Sequence, residues 1–132
     1  MRRLLALGAF LAFAPAMGAV AQQAGDPAAG QRVFNQCRAC HTVEQGGRNQ
    51  VGPNLHGVFG RKAGSIEGFR YSANLKQLGE GGHTWSDDTL RPYLTNPKAV
   101  APQGTMAFPG IRNEQQLNDL LAYLKQASGA PS

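Results

Sequence analysis

The chain has 132 residues, 42% of them hydrophobic, and its 13 basic and eight acidic residues give a formal net charge of +5. That length fits a single domain with one core. Because the basic residues are scattered and do not alternate with aromatic residues along a stripe, we expect no nucleic-acid binding.

The first 21 residues are typical of a cleaved signal peptide. Arg2 and Arg3 form a positive start, residues 4–17 are mostly apolar, and Ala-Val-Ala at 19–21 offers a small-x-small cleavage site. A membrane anchor is the alternative interpretation. However, the apolar stretch is short for a bilayer and is interrupted by glycine and proline. We therefore predict cleavage near Gln22, export to the periplasm and no stable membrane insertion afterwards.

Removal of this segment leaves about 111 residues and a formal charge of about +3. Met1 and Met17 leave with it, so Met106 is the only methionine of the mature chain. Residues 22–29 are small and polar, and we predict that they form a flexible lead-in. We predict that residues 30–128 form the folded domain.

The pentapeptide Cys-Arg-Ala-Cys-His at 37–41 contains both cysteines of the chain. Two thiols at this spacing can add to the two vinyl groups of a porphyrin, and the following histidine can bind its iron. A thioredoxin-like redox site and half of a zinc site are the alternatives. Zinc would need more ligands than the distant His56 and His83, and a thioredoxin-like site would need a βαβ pattern that we do not find. The motif predicts one covalently attached haem c with its iron.

Helical patterns occur in four places, and the glycine-rich segment 41–70 reads as loops and turns. The predicted helices cover about 30–40, 71–78, 86–95 and 113–128. Ser86 and Asn113 are N-cap candidates, Pro97 should end the third helix, and Gly129 should end the last. The sequence thus predicts an all-α fold of about four helices and long loops. Such a chain has too little apolar mass for an ordinary core, so we expect it to wrap around the haem and to be largely unfolded without it.

Together with the pentapeptide, several further strings closely resemble class I cytochromes c, of the soluble bacterial kind similar to mitochondrial cytochrome c. The resemblance covers most of the mature chain, from Gly30 to Lys125. The matching strings are CRACHTV at 37–43, GPNLHG at 52–57, FGRK at 59–62, FRYS at 69–72, TW at 84–85, YLTNPK at 93–98 and MAF at 106–108.

This resemblance implies a role for ten residues. Cys37 and Cys40 would form the thioethers, His41 and Met106 would be the axial iron ligands, and the Pro53 carbonyl would accept a hydrogen bond from the His41 ring. The remaining implied contacts are Tyr93 with the methionine sulfur, Arg61, Tyr71 and Trp85 with the haem propionates, and Phe108 with the haem edge.

The chain also departs from the mitochondrial pattern. Leu75 stands where many relatives have asparagine, Thr105 precedes Met106 where mitochondrial sequences have lysine, and residues 80–83 lengthen the link before Trp85. Neutral residues replace several lysines of the haem-edge face, namely Gln36, Gln50 and Ala99. We therefore expect a moderately positive docking surface, and we interpret His56 as a structural loop histidine and His83 as a solvent-exposed one.

The expected function is one-electron transport in a respiratory or photosynthetic chain, with no enzymatic activity. The expected partners are membrane-bound electron donor and acceptor complexes that make transient electrostatic contacts with a monomer. Three alternatives remain. The protein could be a haem protein that binds small ligands or peroxide after displacement of Met106, a carrier dedicated to one periplasmic dehydrogenase, or a thiol–disulfide oxidoreductase.

Overall fold

The computed structural model describes residues 24–131, so the predicted signal peptide at 1–21 lies outside the described residues. Within 24–131 the chain forms five α-helices and no β-strand, which confirms the all-α prediction. The helices are α1 (Pro27–Phe34), α2 (Ala73–Glu80), α3 (Asp87–Thr95), α4 (Pro97–Val100) and α5 (Glu114–Ala127). An isolated antiparallel bridge pairs Lys62 with Thr84.

Helix α1 starts earlier than predicted. The Asp26 side chain accepts a hydrogen bond from the Ala28 N–H at 2.9 Å, and Pro27 occupies the first helical position. Both are favourable helix-start signals, because this cap satisfies an otherwise unpaired N–H and proline has none to satisfy. The predicted flexible lead-in at 22–29 and the helix at 30–40 therefore differ from the structure, in which Pro27 to Ala29 are helical and turns follow Phe34.

The middle helices start at hydroxyl caps. Ser72 caps α2, which begins two residues later than predicted. In α3 the Ser86 side chain and the Thr89 side chain cap each other's backbone N–H groups, so a capping box sets the predicted start. Pro97 follows the end of α3 and also begins α4, a single turn that the prediction missed because proline was read only as a terminator.

The two terminal helices cross and form much of the core. The α5 leucines at the predicted i, i+3, i+4, i+7 spacing are all buried, and they are Leu117, Leu120, Leu121 and Leu124. A Cβ atom at Gly30 would overlap the carbonyl oxygen of Asp119 and lie 2.7 Å from the Tyr123 Cβ. The centroids of the Phe34 and Tyr123 rings lie 5.2 Å apart at this crossing. Glycine thus allows the two backbones to approach closely.

Helix α5 begins at the predicted cap, where the Asn113 side chain accepts from the Gln116 N–H at 2.9 Å. The buried Asp119 carboxylate accepts a hydrogen bond from the Asp26 N–H at 2.7 Å, which holds the start of α1 on α5.

None of the helices in the described part of the chain combines the length and the apolarity needed to cross a membrane.

Candidate functional site

A cavity of about 470 Å³ lies between the loops and the terminal helices. All ten site residues predicted from the sequence line it: Cys37, Cys40, His41, Pro53, Arg61, Tyr71, Trp85, Tyr93, Met106 and Phe108. The rest of the wall is largely apolar and includes Leu55, Val58, Leu75, Leu90, Leu94 and Leu120. An apolar cavity with a few polar groups is typical of a small-molecule or cofactor site.

The cysteines and the histidine are presented by tight turns that continue from α1. The Cys37 N–H donates to the Phe34 carbonyl at 2.8 Å, and the His41 N–H donates to the Cys37 carbonyl at 2.9 Å. Both thiols are free and half-buried. Burial, with a smaller contribution from the neighbouring Cys40, raises the pKa of Cys37 to about 11. The chain therefore offers two unpaired thiols at one end of the cavity.

The His41 ring is held in one orientation. Its Nδ1 atom lies 2.7 Å from the Pro53 carbonyl oxygen, so this nitrogen carries the proton and Nε2 remains available to a metal. Burial lowers the pKa of His41, although the hydrogen bond to Pro53 partly opposes this effect. The neutral imidazole is the form that binds metals.

Gly52 provides the space for that ring. A Cβ atom at this position would overlap the imidazole and lie 2.7 Å from its Nδ1 atom. The Gly52 N–H also donates to the Cys40 carbonyl at 2.8 Å, which joins this bend to the cysteine turn. Gly52 is a site residue that the sequence does not predict, although it begins the string GPNLHG at 52–57.

Asn54 organises the glycine-rich loop that follows. Its side-chain Nδ2 donates to the Thr42 hydroxyl at 2.7 Å and to the Glu44 carbonyl at 3.0 Å, while its Oδ1 accepts from the His56 N–H at 3.0 Å. The Arg61 guanidinium donates to the Asn54 carbonyl at 3.0 Å and to the His56 carbonyl. Without a helix or a strand, this loop is ordered by these side-chain hydrogen bonds together with backbone bonds such as that from the Leu55 N–H to the Thr42 carbonyl at 2.8 Å.

Three aromatic residues bring polar groups to the cavity wall. The Tyr71 hydroxyl accepts a hydrogen bond from the Ile66 N–H at 3.2 Å, so its own O–H is free to donate. The Trp85 and Tyr93 rings lie 4.8 Å apart, and both line the cavity. Burial raises the pKa of Tyr71 and of Tyr93, so both phenols are neutral donors at physiological pH.

Met106 and Phe108 reach the cavity from an irregular segment after α4. Within 24–131, residues 104–113 belong to no helix or strand. Met106 is half-buried, and Phe108 packs against the hydrophobic core. This segment brings the only thioether of the described residues to the same cavity as the His41 imidazole.

These residues fit a covalently bound haem. The cavity supplies two free thiols, a neutral imidazole with a fixed tautomer and one thioether, and its apolar wall suits a porphyrin face. Polar donors from Arg61, Tyr71 and Trp85 line the same cavity, where carboxylates of a porphyrin would need partners.

The two other histidines lie outside this donor set. His56 stacks beside Gly129, and its Nδ1 atom is buried without a hydrogen-bond partner among the described residues. His83 is half-buried and lies 4.8 Å from the Trp85 ring, edge to face. The interpretation of His83 as solvent-exposed was therefore wrong. Residues 61–63 and 83–85 pair through the Lys62–Thr84 bridge, which folds the longer link back onto Trp85.

Comparisons with known proteins identify the same class. A family model described as cytochrome c matches residues 27–128. Cytochrome c2 of Blastochloris viridis is 44% identical over 124 residues, which cover 94% of this chain and 93% of that protein. Cytochrome c2 of Afifella marina is 46% identical over 104 residues, covering 78% and 84%. Cytochrome c of Ginkgo biloba is 44% identical over 105 residues, covering 79% and 90%.

The fold and the donor set define a helical protein built around a covalent haem. The chain belongs to the cytochrome c family, and the class I resemblance noted from its sequence is confirmed. It is accordingly a one-electron carrier whose prosthetic group is haem c with its iron.

Proposed function

We propose that the protein is a soluble periplasmic electron shuttle. It accepts one electron from a membrane-bound or periplasmic donor and delivers it to an oxidase or a photosynthetic reaction centre. The observation that carries this proposal is the convergence of all ten predicted site residues on one cavity. A signal-like sequence at 1–21 supports export, because haem attachment of this kind takes place in the periplasm of bacteria.

In this proposal Cys37 and Cys40 would hold the haem through two thioethers, and His41 and Met106 would bind its iron. When bound, the haem supplies a metal that alternates between the ferric and ferrous states. Pro53 fixes the His41 ring through the 2.7 Å hydrogen bond and raises the basicity of the imidazole. The Met106 thioether favours the ferrous state and thus raises the reduction potential.

The two proposed iron ligands give the reason to expect no enzymatic activity. With His41 and Met106 both bound to the iron, oxygen or peroxide would find no open position. The walls around them are leucine, valine and aromatic side chains, which limit the access of water. We infer that the protein carries electrons without breaking bonds in a substrate.

Arg61, Tyr71 and Trp85 are proposed to receive the haem propionates. A buried carboxylate is costly unless hydrogen-bond donors meet it. The Tyr71 O–H is free to donate because its oxygen already accepts from Ile66, and Arg61 retains N–H groups beyond the two that bind Asn54 and His56. Phe108 is proposed to cover the haem edge, and Tyr93 to donate to the Met106 sulfur.

The docking surface is expected to be only moderately positive. Arg48, Lys98 and Arg112 are exposed, whereas the exposed residues Gln36 and Gln50 are neutral. A few positive charges favour fast, short-lived encounters with acidic partners and give a modest dependence on ionic strength. We propose that the protein acts as a monomer in these encounters.

Replacement of the distal ligand tests this proposal. Met106→Ala should abolish the weak near-infrared sulfur-to-iron band of the oxidised protein and allow the reduced protein to bind carbon monoxide. The reduction potential should fall by an amount on the order of 0.1 V, within the range of about 0.8 V over which axial ligands tune haem proteins.

Arg112→Gln, an exposed position on the same irregular segment that does not line the cavity, is the control, and it should retain the band and the potential of the unmodified protein. An unchanged band and potential in Met106→Ala would remove Met106 as a ligand and contradict the proposal.

A further inference from the structure

The segment that carries Met106 has few internal constraints. Residues 104–113 form no helix or strand, and within 24–131 we find no hydrogen bond to the backbone of Thr105, Met106 or Ala107. A thioether on such a segment can leave the iron whenever the segment moves outward. Its position must therefore be determined by contacts on either side of the methionine.

Three hydrogen bonds hold the residues just before Met106. The Gly104 N–H donates to the Ala101 carbonyl at 2.9 Å, and the Lys98 ammonium donates to the Gly104 carbonyl. Both partners belong to α4 and the turn after it, so these two bonds shape the turn without tying it to another part of the molecule. The third bond is different, because the Gln103 N–H donates to the Asn74 Oδ1 at 3.0 Å across 29 residues of sequence.

Asn74 is well placed to act as this anchor. It is the second residue of α2, and the Ser72 hydroxyl caps that helix by accepting from the Leu75 N–H at 3.2 Å. At the other end of the helix, a Cβ atom at Gly79 would overlap the carbonyl oxygen of Ala63. Helix α2 therefore packs tightly against the loop that contains Ala63. The following residue, Leu75, lines the haem cavity.

Asn74 lies in the first turn of α2, and among the described residues its side chain makes no hydrogen bond to that helix. Its side chain uses the carbonyl oxygen to accept the Gln103 N–H in an exposed hydrogen bond, and Asn74 as a whole is half-buried. We attribute asparagine at position 74 to the need for a hydrogen-bond acceptor that faces the segment carrying Met106.

We infer that Asn74 is a positioning residue for Met106. Its side-chain oxygen anchors the Gln103 backbone to α2 and thereby keeps the thioether in the cavity. This inference rests on the proposed function, in which Met106 binds the iron. Leu75, at the next position, has no polar atom with which to take over that bond.

Loss of the anchor should increase the fraction of molecules in which Met106 has left the iron. Removal of one neutral hydrogen bond corresponds to a factor of about five in such an equilibrium. An added imidazole competes with Met106, and its apparent affinity rises in proportion to the open fraction. Asn74→Ala should therefore bind imidazole about fivefold more tightly in the oxidised, haem-loaded protein.

Two further variants separate the anchor from general effects on the helix. Asn74→Asp keeps an acceptor oxygen and suits the first turn of a helix, so its imidazole affinity should stay within about twofold of the unmodified protein. Gln77→Ala changes an exposed side chain of α2 and should leave the affinity unchanged. Hydrogen exchange should report the same contact, with faster exchange of the Gln103 N–H in Asn74→Ala only.

The outcomes distinguish this inference from the proposed function. If the unmodified protein lacks the sulfur-to-iron band, Met106 is not a ligand and the proposed function fails. If the band is present but Asn74→Ala binds imidazole as Gln77→Ala does, the anchor is refuted and the proposed function stands. A lower melting temperature of Asn74→Ala with unchanged imidazole affinity would likewise refute it, because the residue would then support only the fold.

Discussion

At the crossing of α1 and α5 the two helix backbones touch, whereas the loops between the helices close around a cavity. In the crossing, a glycine allows this contact, and Phe34 (1% exposed) and Leu120 (0% exposed) are buried, although both also line the cavity. In the loop region, Leu55, Leu75 and Tyr71 are only partly buried and face the cavity of about 470 Å³. The comparison shows that protein atoms make most of the contacts in the first region, while the second region requires haem c as part of its core.

Removal of the haem should have the largest effect. A Cys37→Ala, Cys40→Ala double variant purified without haem should show little helical circular dichroism and no cooperative melting. An empty cavity of about 470 Å³ corresponds to a penalty on the order of 10 kcal/mol, as large as the whole stability of a typical domain.

Gln36→Ala, an exposed position next to the first cysteine, is the control and should retain haem and stability. A haem-free double variant with full helical dichroism and a cooperative transition would mean that the loops fold without the cofactor.

Two glycine substitutions, one in each region, should affect different properties of the protein. Gly30→Ala places a methyl group against the Asp119 carbonyl, so it should lower the free energy of unfolding by about 1–3 kcal/mol and leave the haem spectrum unchanged. Gly52→Ala places the methyl group against the His41 ring, so it should shift the haem spectrum and the reduction potential.

For both variants, denaturant unfolding measures the stability, absorption spectroscopy measures the haem spectrum, and potentiometry measures the reduction potential. Gln31→Ala, an exposed position on α1, is the control for the first substitution. Equal spectral changes in Gly30→Ala and Gly52→Ala would contradict the division of the molecule into a protein core and a haem core.

The smallest expected effect concerns alkaline pH. Burial raises the pKa of Tyr93, so the unfolded chain loses this proton first as the pH rises past about 10. The contribution of Tyr93 to stability is therefore complete below that pH and is lost as the pH rises through the folded-state pKa.

Tyr93→Phe should accordingly lose less stability than the unmodified protein between about pH 9 and about pH 11. Denaturant melts of the reduced protein measure this difference, and the same comparison at about pH 7 serves as the control. An identical alkaline loss in both proteins would show that Tyr93 does not titrate in this range.

The parts of the molecule encoded by short-range patterns were predictable from the sequence. The spacing of Cys37, Cys40 and His41 predicted the haem, and the leucines of α5 predicted the buried helix face. Signals for the start of α1 at Asp26 and Pro27 were also present, but the small residues around them favoured a flexible interpretation. Pro97 was read as the end of α3 alone, although proline also suits the first position of a helix.

Contacts between distant residues could not be predicted in this way. The hydrogen bond from Gln103 to Asn74 joins residues 29 positions apart, and no local sequence pattern indicates it. The packing of His83 on Trp85 depends on how residues 80–83 fold back, which sequence spacing does not determine. The family resemblance supplied the identities of the cavity residues, and the structure supplied the contacts that hold them.

The most direct test is an intact mass combined with an absorption spectrum of the purified native protein. We expect the mass of the chain from Gln22 to Ser132 plus one haem, no titratable thiols after unfolding, and a sulfur-to-iron band in the oxidised state. A colourless protein with two free thiols, or a coloured protein with a high-spin spectrum at neutral pH, would contradict it.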